Sequence, residues 1–329
     1  SKHLFTRKAG GERPQMVEAE DENSQSRFVV HRVQELMRRG VPLHRIAVLF
    51  RAGFHSFDLE IELAREAIPF IKVGGFKFTE SAHIKDVLAH LRVVANPLDR
   101  ISWHRILLLI DKIGPRSAQR IYDALAEART GAAGLSALTR RHPGLERLAA
   151  LYQALDSGAR APAEMGAAVV QYYLPLLKRN FDDHPKRAKD LEQLLGILER
   201  YRRLDPFLTD MTLEPPTVSA NEGLYAGESA EDRLVLSTIH SAKGLEWHTV
   251  FVIWALDGRF PSLYAMSNDE DLEEELRLMY VAATRAQEGL FITYPRQAYD
   301  RSLGIVLNRP SRFVDLIPDE ILEKRSVRF

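Results

Sequence analysis

The sequence predicts an α/β protein: a parallel-sheet domain whose chain is interrupted by an all-helical insertion. Two observations support this fold class. Short apolar runs alternate with amphipathic helical patterns at both ends of the 329-residue chain, whereas the middle is almost entirely helical. A segment rich in Pro, Gly, Ser and acidic residues, "LEPPTVSANEGLYAGESAED" (213–232), then separates the helical middle from the region where strands return.

The first flank begins with a helix and continues with a short buried strand. The strand is "RIAVLFR" (45–51), a nearly continuous apolar run that is typical of a strand covered on both faces. A second helix, "FDLEIELAREAI" (57–68), and a second strand, "FIKVGG" (70–75), follow. The first helix is indicated by apolar residues at helical spacing and by the glycine that ends it: Phe28, Val29, Val33, Leu36, Met37 and Gly40.

The middle of the chain is predicted to be a mildly basic helical insertion. Between positions 97 and 205 there are 18 Lys and Arg residues against 13 Asp and Glu residues. The simplest organisation places the sheet domain at 1–92 plus 225–329 and the insertion at 93–224. The alternative is two independent α/β domains with a helical one between them. The split domain is favoured because each flank alone holds too few strands for a stable sheet.

The second flank is predicted to contain three strands and one helix. These elements are "RLVLSTIH" (233–240), "TVFVIWAL" (249–256), "EEELRLMYVAATRAQ" (273–287) and "GLFITYP" (289–295). The acidic run "NDEDLEEE" (268–275) is interpreted as the solvated start of that helix. The helix residues expected to face the core are Leu276, Met279, Tyr280 and Ala283.

Composition excludes several classes of site. The chain has no cysteine, which excludes disulfides, Cys-ligated zinc, iron–sulfur clusters and thiol catalysis and fits a cytoplasmic location. The longest apolar run, "RILLLI" (105–110), is too short to span a membrane, and the first residues lack the apolar core of a signal peptide. The formal net charge is zero, although a local basic stripe can still bind nucleic acid.

The segment "STIHSAKGLEW" (237–247) carries polar residues near the end of a predicted strand. Ligand-binding loops lie at the carboxyl ends of parallel strands, and the hydroxyl of Thr238 and the ring of His240 suit a phosphate oxygen. The alternative is a loop whose polar groups cap the local backbone. The chain contains no G-x-x-x-x-G-K-[ST] motif and no strand ending in Asp-Glu, so it cannot assemble a nucleoside triphosphate pocket alone.

Several ordered motifs resemble one family. "VLSTIHSAKGLEWHTVFVIWALDGRFPS" (235–262) and "EEELRLMYVAATRAQEGLFITYP" (273–295) resemble motifs V and VI of UvrD/Rep/PcrA-type superfamily I DNA helicases. "RIAVLFRAG", "KVGGFKFTESAHIKDVLAHLRVVANP" and "NRPSRFVDLIP" resemble the same family in the same order. The resemblance implies the second RecA-like domain, with its helical insertion, of an ATP-dependent 3′-to-5′ DNA helicase.

The resemblance also implies a shared nucleotide site. Arg285 matches the catalytic arginine finger, which also contacts the nucleotide, and Glu246 matches the glutamate near the ribose. ATP and Mg²⁺ are expected to be held mainly by an N-terminal RecA-like domain that this chain lacks. The chain alone is therefore not expected to hydrolyse ATP.

DNA contacts are implied at the same motifs. Thr238 and His240 match residues that contact the backbone of single-stranded DNA, and Lys243 matches the motif with a less defined role. Because only six residues separate His240 from Glu246, one turn is expected to contact both DNA and nucleotide. Trp247 stands where the family often has Phe or Tyr, a conservative change.

The insertion contains a candidate contact to the duplex at a single-strand/duplex junction. "KIGPR" (112–116) lies between two predicted helices and resembles the helix–hairpin–helix-like turn of the family, with Lys112, Gly114 and Arg116 as its candidate phosphate contacts. Lys112 occupies the position where the family usually has a first glycine, which weakens this assignment. The alternative is a plain interhelical turn. Gly75 and Lys77 are further candidates for the DNA path.

Two other functions remain as alternatives. The chain could be a stand-alone nucleic-acid-binding remnant of a helicase. It could also be part of an AddA/RecB-like helicase–nuclease subunit, although it ends soon after "SRFVDLIPDEILEKRSVRF" with no nuclease-like region.

Overall fold

The computed structural model describes residues 11–74, 77–156, 160–212, 232–300 and 303–329. The chain forms two compact units, Ser1–Phe76 with Glu214–Phe329 and Lys77–Leu213. The first contains the sheet and the second is helical, so the predicted fold class is confirmed. The helical unit includes residues 77–92, which the sequence pattern assigns to the sheet domain.

Within the described residues, the first unit is built on a seven-stranded sheet in the order β3-β4-β2-β5-β6-β1-β9. Every neighbouring pair in this sheet is parallel. Its strands are β1 (Gln15–Ala19), β2 (Ile46–Phe50), β3 (Phe70–Val73), β4 (Leu234–Thr238), β5 (Trp247–Val252), β6 (Ala286–Pro295) and β9 (Glu323–Val327). A separate antiparallel hairpin consists of β7 (Ala298–Asp300) and β8 (Ile305–Leu307).

The central strand β2 shows why this sheet is covered on both faces. All five of its residues are buried. Ala47 and Leu49 join the core on one face, and Ile46, Val48 and Phe50 join the core on the other. Because successive side chains of a strand point to opposite faces, a continuous apolar run fills two cores at once. The prediction of a doubly covered strand is confirmed.

Helices pack on each face of the sheet. Helix α1 (Glu22–Arg38) and helix α2 (Phe57–Arg65) contribute Phe28, Val29 and Leu63 to one core. The Asp21 side chain caps α1 by accepting a hydrogen bond from the Ser24 backbone N–H at 2.7 Å. Helix α11 (Asp269–Ala283) packs against the other core.

The predicted core face of α11 is wrong for two of its four residues. Leu276 is 38% exposed and Tyr280 is 50% exposed, whereas Met279 is buried. The buried face consists of Glu275, Leu278, Met279 and Ala282. The run from 276 to 281 is apolar at all but one position, so helical spacing alone does not identify the buried stripe.

The acidic start of α11 is confirmed except at its last residue. Asn268 caps the helix by accepting a hydrogen bond from the Glu270 backbone N–H at 3.0 Å, and acidic residues occupy the first turn, where they favour the helix dipole. Glu275, in contrast, is buried. Its Oε1 accepts a hydrogen bond from Arg51 Nε at 2.8 Å, which joins α11 to the residue after β2.

Strands β1 and β9 were not predicted. In β9, "EKRSV" has a charged pattern without the apolar alternation of a half-buried strand. It lies at the sheet edge and pairs only with β1 among the described residues, which explains the weak signal. β1 precedes α1, so the first strand–helix–strand unit starts before the region where the sequence pattern is clear.

The second unit consists of helices in its described residues. They are α3 (Ala82–Ala95), α4 (Arg100–Leu108), α5 (Pro115–Glu127), α6 (Leu135–Leu138), α7 (Glu146–Asp156), α8 (Pro162–Asn180), α9 (His184–Leu198) and α10 (Leu204–Asp210). Trp103 and Tyr173 are fully buried in its core. Asp86 accepts hydrogen bonds from the Tyr173 hydroxyl and from Arg105 Nε at 2.6 Å, so this buried carboxylate is paired.

The environment of His90 shows that water is excluded from this helical core. It is buried, and desolvation lowers the pKa of its imidazole to about 4, more than the neighbouring Asp86 carbonyl and carboxylate raise it. The ring is therefore neutral at pH 7. None of the described helices is both long and apolar enough to cross a membrane.

Candidate functional site

The predicted site residues of the sheet unit lie at two opposite edges of the sheet. In this parallel sheet all strands begin at one edge, here called the amino edge, and end at the other, the carboxyl edge. Glu246 and Arg285 immediately precede β5 and β6 at the amino edge. Thr238 ends β4, and His240 follows it, at the carboxyl edge.

The segment 239–246 is consequently a crossover, because β2 lies between β4 and β5. The strand register pairs Thr238 with Phe50 of β2, and it pairs Val252, the last residue of β5, with Leu49 of β2. Thr238 is therefore level with position 253, just beyond the end of β5. That point lies roughly 20 Å from Trp247 at ~3.3 Å per residue. The expectation that Thr238 and Glu246 lie close together in one turn is therefore wrong, and the ligand contacts of each stay a prediction. A short connection packed along one face joins the two edges.

The crossover is anchored in the core. Ile239 and Ala242 are fully buried in the same hydrophobic cluster as Leu278 and Met279 of α11. Gly244 adopts a left-handed backbone conformation, φ +84°, which favours glycine. The buried residues Ile239 and Ala242 thus fix the path of the crossover. Its last two residues, Leu245 and Glu246, are exposed and accessible to a ligand.

Arg285 is held by three hydrogen bonds within the unit. Its Nε donates to the Val281 carbonyl at 3.0 Å, its Nη1 to the Leu245 carbonyl at 3.0 Å, and its Nη2 to Thr284 Oγ1 at 2.9 Å. A guanidinium has five N–H donors, so one N–H on each terminal nitrogen has no acceptor among the described residues. The half-buried side chain is thus fixed in place with two donors available for an anion.

Glu246 lies beside Arg285. The Trp247 backbone N–H donates to the Arg285 carbonyl at 2.9 Å, so the peptide after Glu246 is bonded to the peptide after Arg285. The exposed Glu246 carboxylate accepts a hydrogen bond from Gln287 Nε2 at 3.3 Å, and Gln287 Oε1 accepts one from Arg45 Nη2 at 3.1 Å. Sequence reasoning found Glu246 and Arg285 but missed Gln287 and Arg45, because no motif marks a side chain that orients another.

At the carboxyl edge, Thr238 is part of a small hydroxyl cluster. Thr238 Oγ1 donates to Ser241 Oγ at 3.0 Å. Gly74, after β3, lies against both residues: a Cβ at this position would be 2.7 Å from Ser241 Oγ and 2.8 Å from Thr238 Oγ1. The two hydroxyls therefore occupy the space that a side chain at position 74 would need, and the exposed Gly74 backbone lies directly against them. His240 and Lys243 are exposed.

Arg51 is a cation at this edge that sequence reasoning did not select. It follows Phe50, which is paired with Thr238 in the register, and its side chain is 31% exposed. Its Nε is bonded to buried Glu275. The sequence signal for it, a single arginine after an apolar strand, is common to many structural arginines.

The candidate turn of the helical unit lies between α4 and α5. Lys112, Gly114 and Arg116 are exposed, whereas Ile113 between them is buried. Gly114 is the N-cap of α5, whose first turn begins with Pro115. Lys112 has φ +64°, so the lysine stands at the left-handed position of this turn, where a glycine would be unstrained. The backbone N–H groups at the start of α5 and the two exposed cations suit a phosphate.

The remaining candidates lie near the start of the helical unit. Lys77 is only 15% exposed and its Nζ lies 3.8 Å from Glu80 Oε1, so its charge is partly engaged within the unit. Gly75 lies outside the described residues. No group of three or more His, Asp or Glu side chains among the described residues is arranged to hold a metal ion.

Most of the chain matches one known protein family. The sequence model of one family, described as "UvrD-like helicase C-terminal domain", matches residues 1–132 and 145–297. The chain is 31% identical to the ATP-dependent DNA helicase PcrA of Staphylococcus epidermidis over 357 aligned positions, which cover 99% of this chain and 46% of that protein. It is 30% identical to the ATP-dependent DNA helicase PcrA of Staphylococcus aureus, with the same coverage. The chain thus spans just under half the length of these curated relatives.

Proposed function

The chain belongs to the UvrD-like helicase C-terminal domain family, and we propose that it is the C-terminal portion of an ATP-dependent DNA helicase that translocates 3′ to 5′. In this proposal it binds DNA and completes an ATP site on an N-terminal RecA-like domain of the same protein. The single observation that carries the proposal is that Arg285 and Glu246 lie side by side at the amino edge of the sheet. Arg285 Nη1 donates to the Leu245 carbonyl, and the Arg285 carbonyl accepts from the Trp247 N–H.

The amino edge is the proposed nucleotide edge. The two available N–H groups of Arg285 would donate to the γ-phosphoryl oxygens of ATP and stabilise the charge that develops during its transfer. Glu246, an exposed acceptor oriented by Gln287, would accept hydrogen bonds from the ribose hydroxyls. The partner domain would supply the phosphate loop and hold Mg²⁺, which neutralises phosphate charge when bound.

The carboxyl edge is the proposed single-strand edge. Thr238 Oγ1 and the imidazole of His240 would contact phosphate oxygens, and Lys243 would add a charge that is independent of base sequence. Gly74 keeps the Thr238 and Ser241 hydroxyls in their observed positions, because any side chain there would displace them. Contacts of this kind weaken as salt rises, because bound phosphates release counterions.

The crossover 239–246 supports a coupling role. Its two ends lie at the two edges and its middle is buried with α11, which itself leads directly to Arg285. Closure of the N-terminal domain on ATP would bring the nucleotide against Arg285 and Glu246 and displace them slightly. The packed crossover would transmit this displacement to Thr238 and His240. In the helical unit, Lys112, Gly114 and Arg116 would contact duplex DNA at the junction.

The test uses the full-length protein and this 329-residue chain in parallel. We expect the full-length protein to hydrolyse ATP when single-stranded DNA is added and to unwind a duplex with a 3′ tail but not the same duplex with a 5′ tail. We expect the isolated chain to show no ATP hydrolysis above a buffer control. Absence of DNA-stimulated hydrolysis by the full-length protein, or unwinding only from a 5′ tail, would contradict the proposal.

A further inference from the structure

Residues 133–144, "AGLSALTRRHPG", are here called the arginine segment. They lie between the two ranges that match the family, 1–132 and 145–297. The segment contains Arg140, Arg141 and His142 and no acidic residue. A stretch with two consecutive arginines and no acidic residue is a candidate for binding an anionic ligand.

The arginine segment has a defined structure. Leu135 in α6 is fully buried, and so is Leu145 just after the segment, so both ends are anchored in the core of the helical unit. Ser136 Oγ accepts a hydrogen bond from Gln153 Nε2 of α7 at 2.8 Å. The Arg141 backbone N–H donates to the Leu138 carbonyl at 3.1 Å. Arg140 and Arg141 are exposed on this support.

The segment packs against the candidate DNA turn of the same unit. A Cβ on Gly144 would lie 2.9 Å from Ile110 Cγ2 and 3.6 Å from the Asp111 carbonyl oxygen. Residues 110 and 111 immediately precede Lys112, and Gly144 is three residues from Arg141. The close approach therefore places the two arginines on the surface next to the turn. Any side chain at position 144 would separate the two elements.

The acidic residue at this contact is already paired. Asp111 Oδ2 lies 2.6 Å from Arg179 Nη1, and Arg179 Nη2 also donates to the Leu109 carbonyl at 2.8 Å. By contrast, five exposed cations around the contact have no ion pair among the described residues: Lys112, Arg116, Arg120, Arg140 and Arg141. The surface is therefore a positive patch that the unit itself does not neutralise.

We infer that Arg140 and Arg141 extend the turn's cationic surface and bind phosphates of duplex DNA beyond those contacted by Lys112 and Arg116. This inference rests on the proposed function. Duplex backbone is favoured over single-stranded bases because the segment has no Phe, Tyr or Trp on which a base could stack. Arginines contacting phosphates position the protein on DNA without reading its sequence.

The test measures how the full-length protein binds a duplex with a 3′ tail and a single strand of the tail's length, over a range of salt concentrations. For R140A/R141A we expect the affinity for the tailed duplex to fall about tenfold at low salt. Each lost phosphate contact lowers the slope of log affinity against log salt by ~0.9, so the slope should fall by about 2. The affinity for the single strand should fall much less.

The matched control is R202A/R203A. These arginines are also consecutive and exposed, and their removal changes the net charge by the same amount. We expect this variant to retain the binding and the salt slope of the unsubstituted protein. R140Q/R141Q, which keeps polar side chains that can donate hydrogen bonds but removes both charges, should reproduce the loss if charge is responsible. Thermal melting checks that each variant is folded.

The outcomes separate this inference from the proposed function. If R140A/R141A binds the tailed duplex with unchanged affinity and slope while K112A/R116A binds it more weakly, the arginine segment has no DNA role and the helicase proposal stands. Equal losses in R140A/R141A and R202A/R203A would show a general charge effect and also overturn the inference. If the unsubstituted protein binds no DNA, the proposed function itself fails.

Discussion

The two edges of the sheet hold their candidate residues in different ways. At the amino edge, Arg285 donates three hydrogen bonds to acceptors of its own unit and Glu246 accepts one from Gln287. At the carboxyl edge, Thr238 is bonded to Ser241, and the exposed side chain of His240 has no hydrogen bond among the described residues. One edge is preorganised and the other is adaptable.

This difference matches the ligands proposed for each edge. Stabilising charge on a transferring phosphoryl group requires donors already fixed where that charge develops, because reorganising them during reaction costs free energy. A moving strand must instead be gripped and released at every step, so moderate contacts from flexible side chains suffice. Substitutions at the amino edge should therefore change rates, and those at the carboxyl edge should change DNA affinity.

The largest expected effect is that of Arg285→Ala in the full-length protein. We expect kcat for DNA-stimulated ATP hydrolysis to fall by a factor of ~10³ or more, because an arginine finger acts mainly on the transition state. The affinity for ATP should change much less. Steady-state hydrolysis at saturating DNA, with ATP affinity measured separately by a fluorescent analogue, checks both quantities.

Arg277→Ala is the matched control on the same helix. Arg277 is 65% exposed and pairs with Glu273 and Glu274 on the helix surface, where ion pairs contribute little. Its removal should leave kcat unchanged. If Arg285→Ala left kcat unchanged as well, Arg285 would not belong to the site and the contrast between the two edges would lose its main support.

The next effect compares two glycines that share a left-handed backbone, Gly74 with φ +88° and Gly244 with φ +84°. At Gly244 an added Cβ meets no heavy atom within 4 Å, so Gly244→Ala should cost about 1 kcal/mol of folding free energy from backbone strain alone. At Gly74 the Cβ would displace the hydroxyls of Thr238 and Ser241. Gly74→Ala should therefore cost about 2–4 kcal/mol.

The two glycine variants should also differ in their affinity for single-stranded DNA. Gly74→Ala should weaken single-strand binding several-fold beyond Gly244→Ala, because the displaced hydroxyls are the proposed DNA contacts. Chemical denaturation gives the stability difference, and fluorescence anisotropy gives the DNA affinity. Equal DNA affinities in two folded variants would remove the Thr238–Ser241 cluster from the DNA path.

Sequence reasoning succeeded where pattern and chemistry coincide. The run "IAVLF" of β2 fills both cores, and its continuous hydrophobicity predicted that directly. It failed at β9, where an edge strand needs no apolar alternation, and on α11, where neighbouring apolar residues conceal which stripe is buried. These failures have one cause. The position of an edge strand such as β9, and the buried face of a helix such as α11, are determined by tertiary packing rather than by local periodicity.

The candidate site shows the same division. The family motifs place Glu246 and Arg285 at the site, but separation along the chain misjudged their distance from Thr238. The order of strands, with β2 between β4 and β5, decides that the short segment crosses from one edge to the other. Such an order depends on pairings between distant parts of the chain, and the sequence of the segment 239–246 does not reveal it.

The smallest expected effect tests how Glu246 is oriented. Gln287 donates to Glu246 Oε2 at 3.3 Å and accepts from Arg45 Nη2 at 3.1 Å, so it acts as a positioning residue. In Gln287→Ala, the exposed carboxylate would gain rotational freedom but keep its contact with the ribose, so KM for ATP should rise only about two- to fivefold. kcat should stay unchanged, since the ribose contact is equally strong in ground and transition states.

Gln34→Ala provides the control for this last effect, because Gln34 also donates to a glutamate, Glu66 Oε2 at 2.9 Å, on the surface of the helix layer. It should leave KM unchanged. Arg45→Ala should raise KM no more than Gln287→Ala does, because it acts on Glu246 only through Gln287. A lower kcat in Gln287→Ala would mean that this side chain supports Arg285 rather than Glu246, and the preorganised edge would then extend to a third side chain.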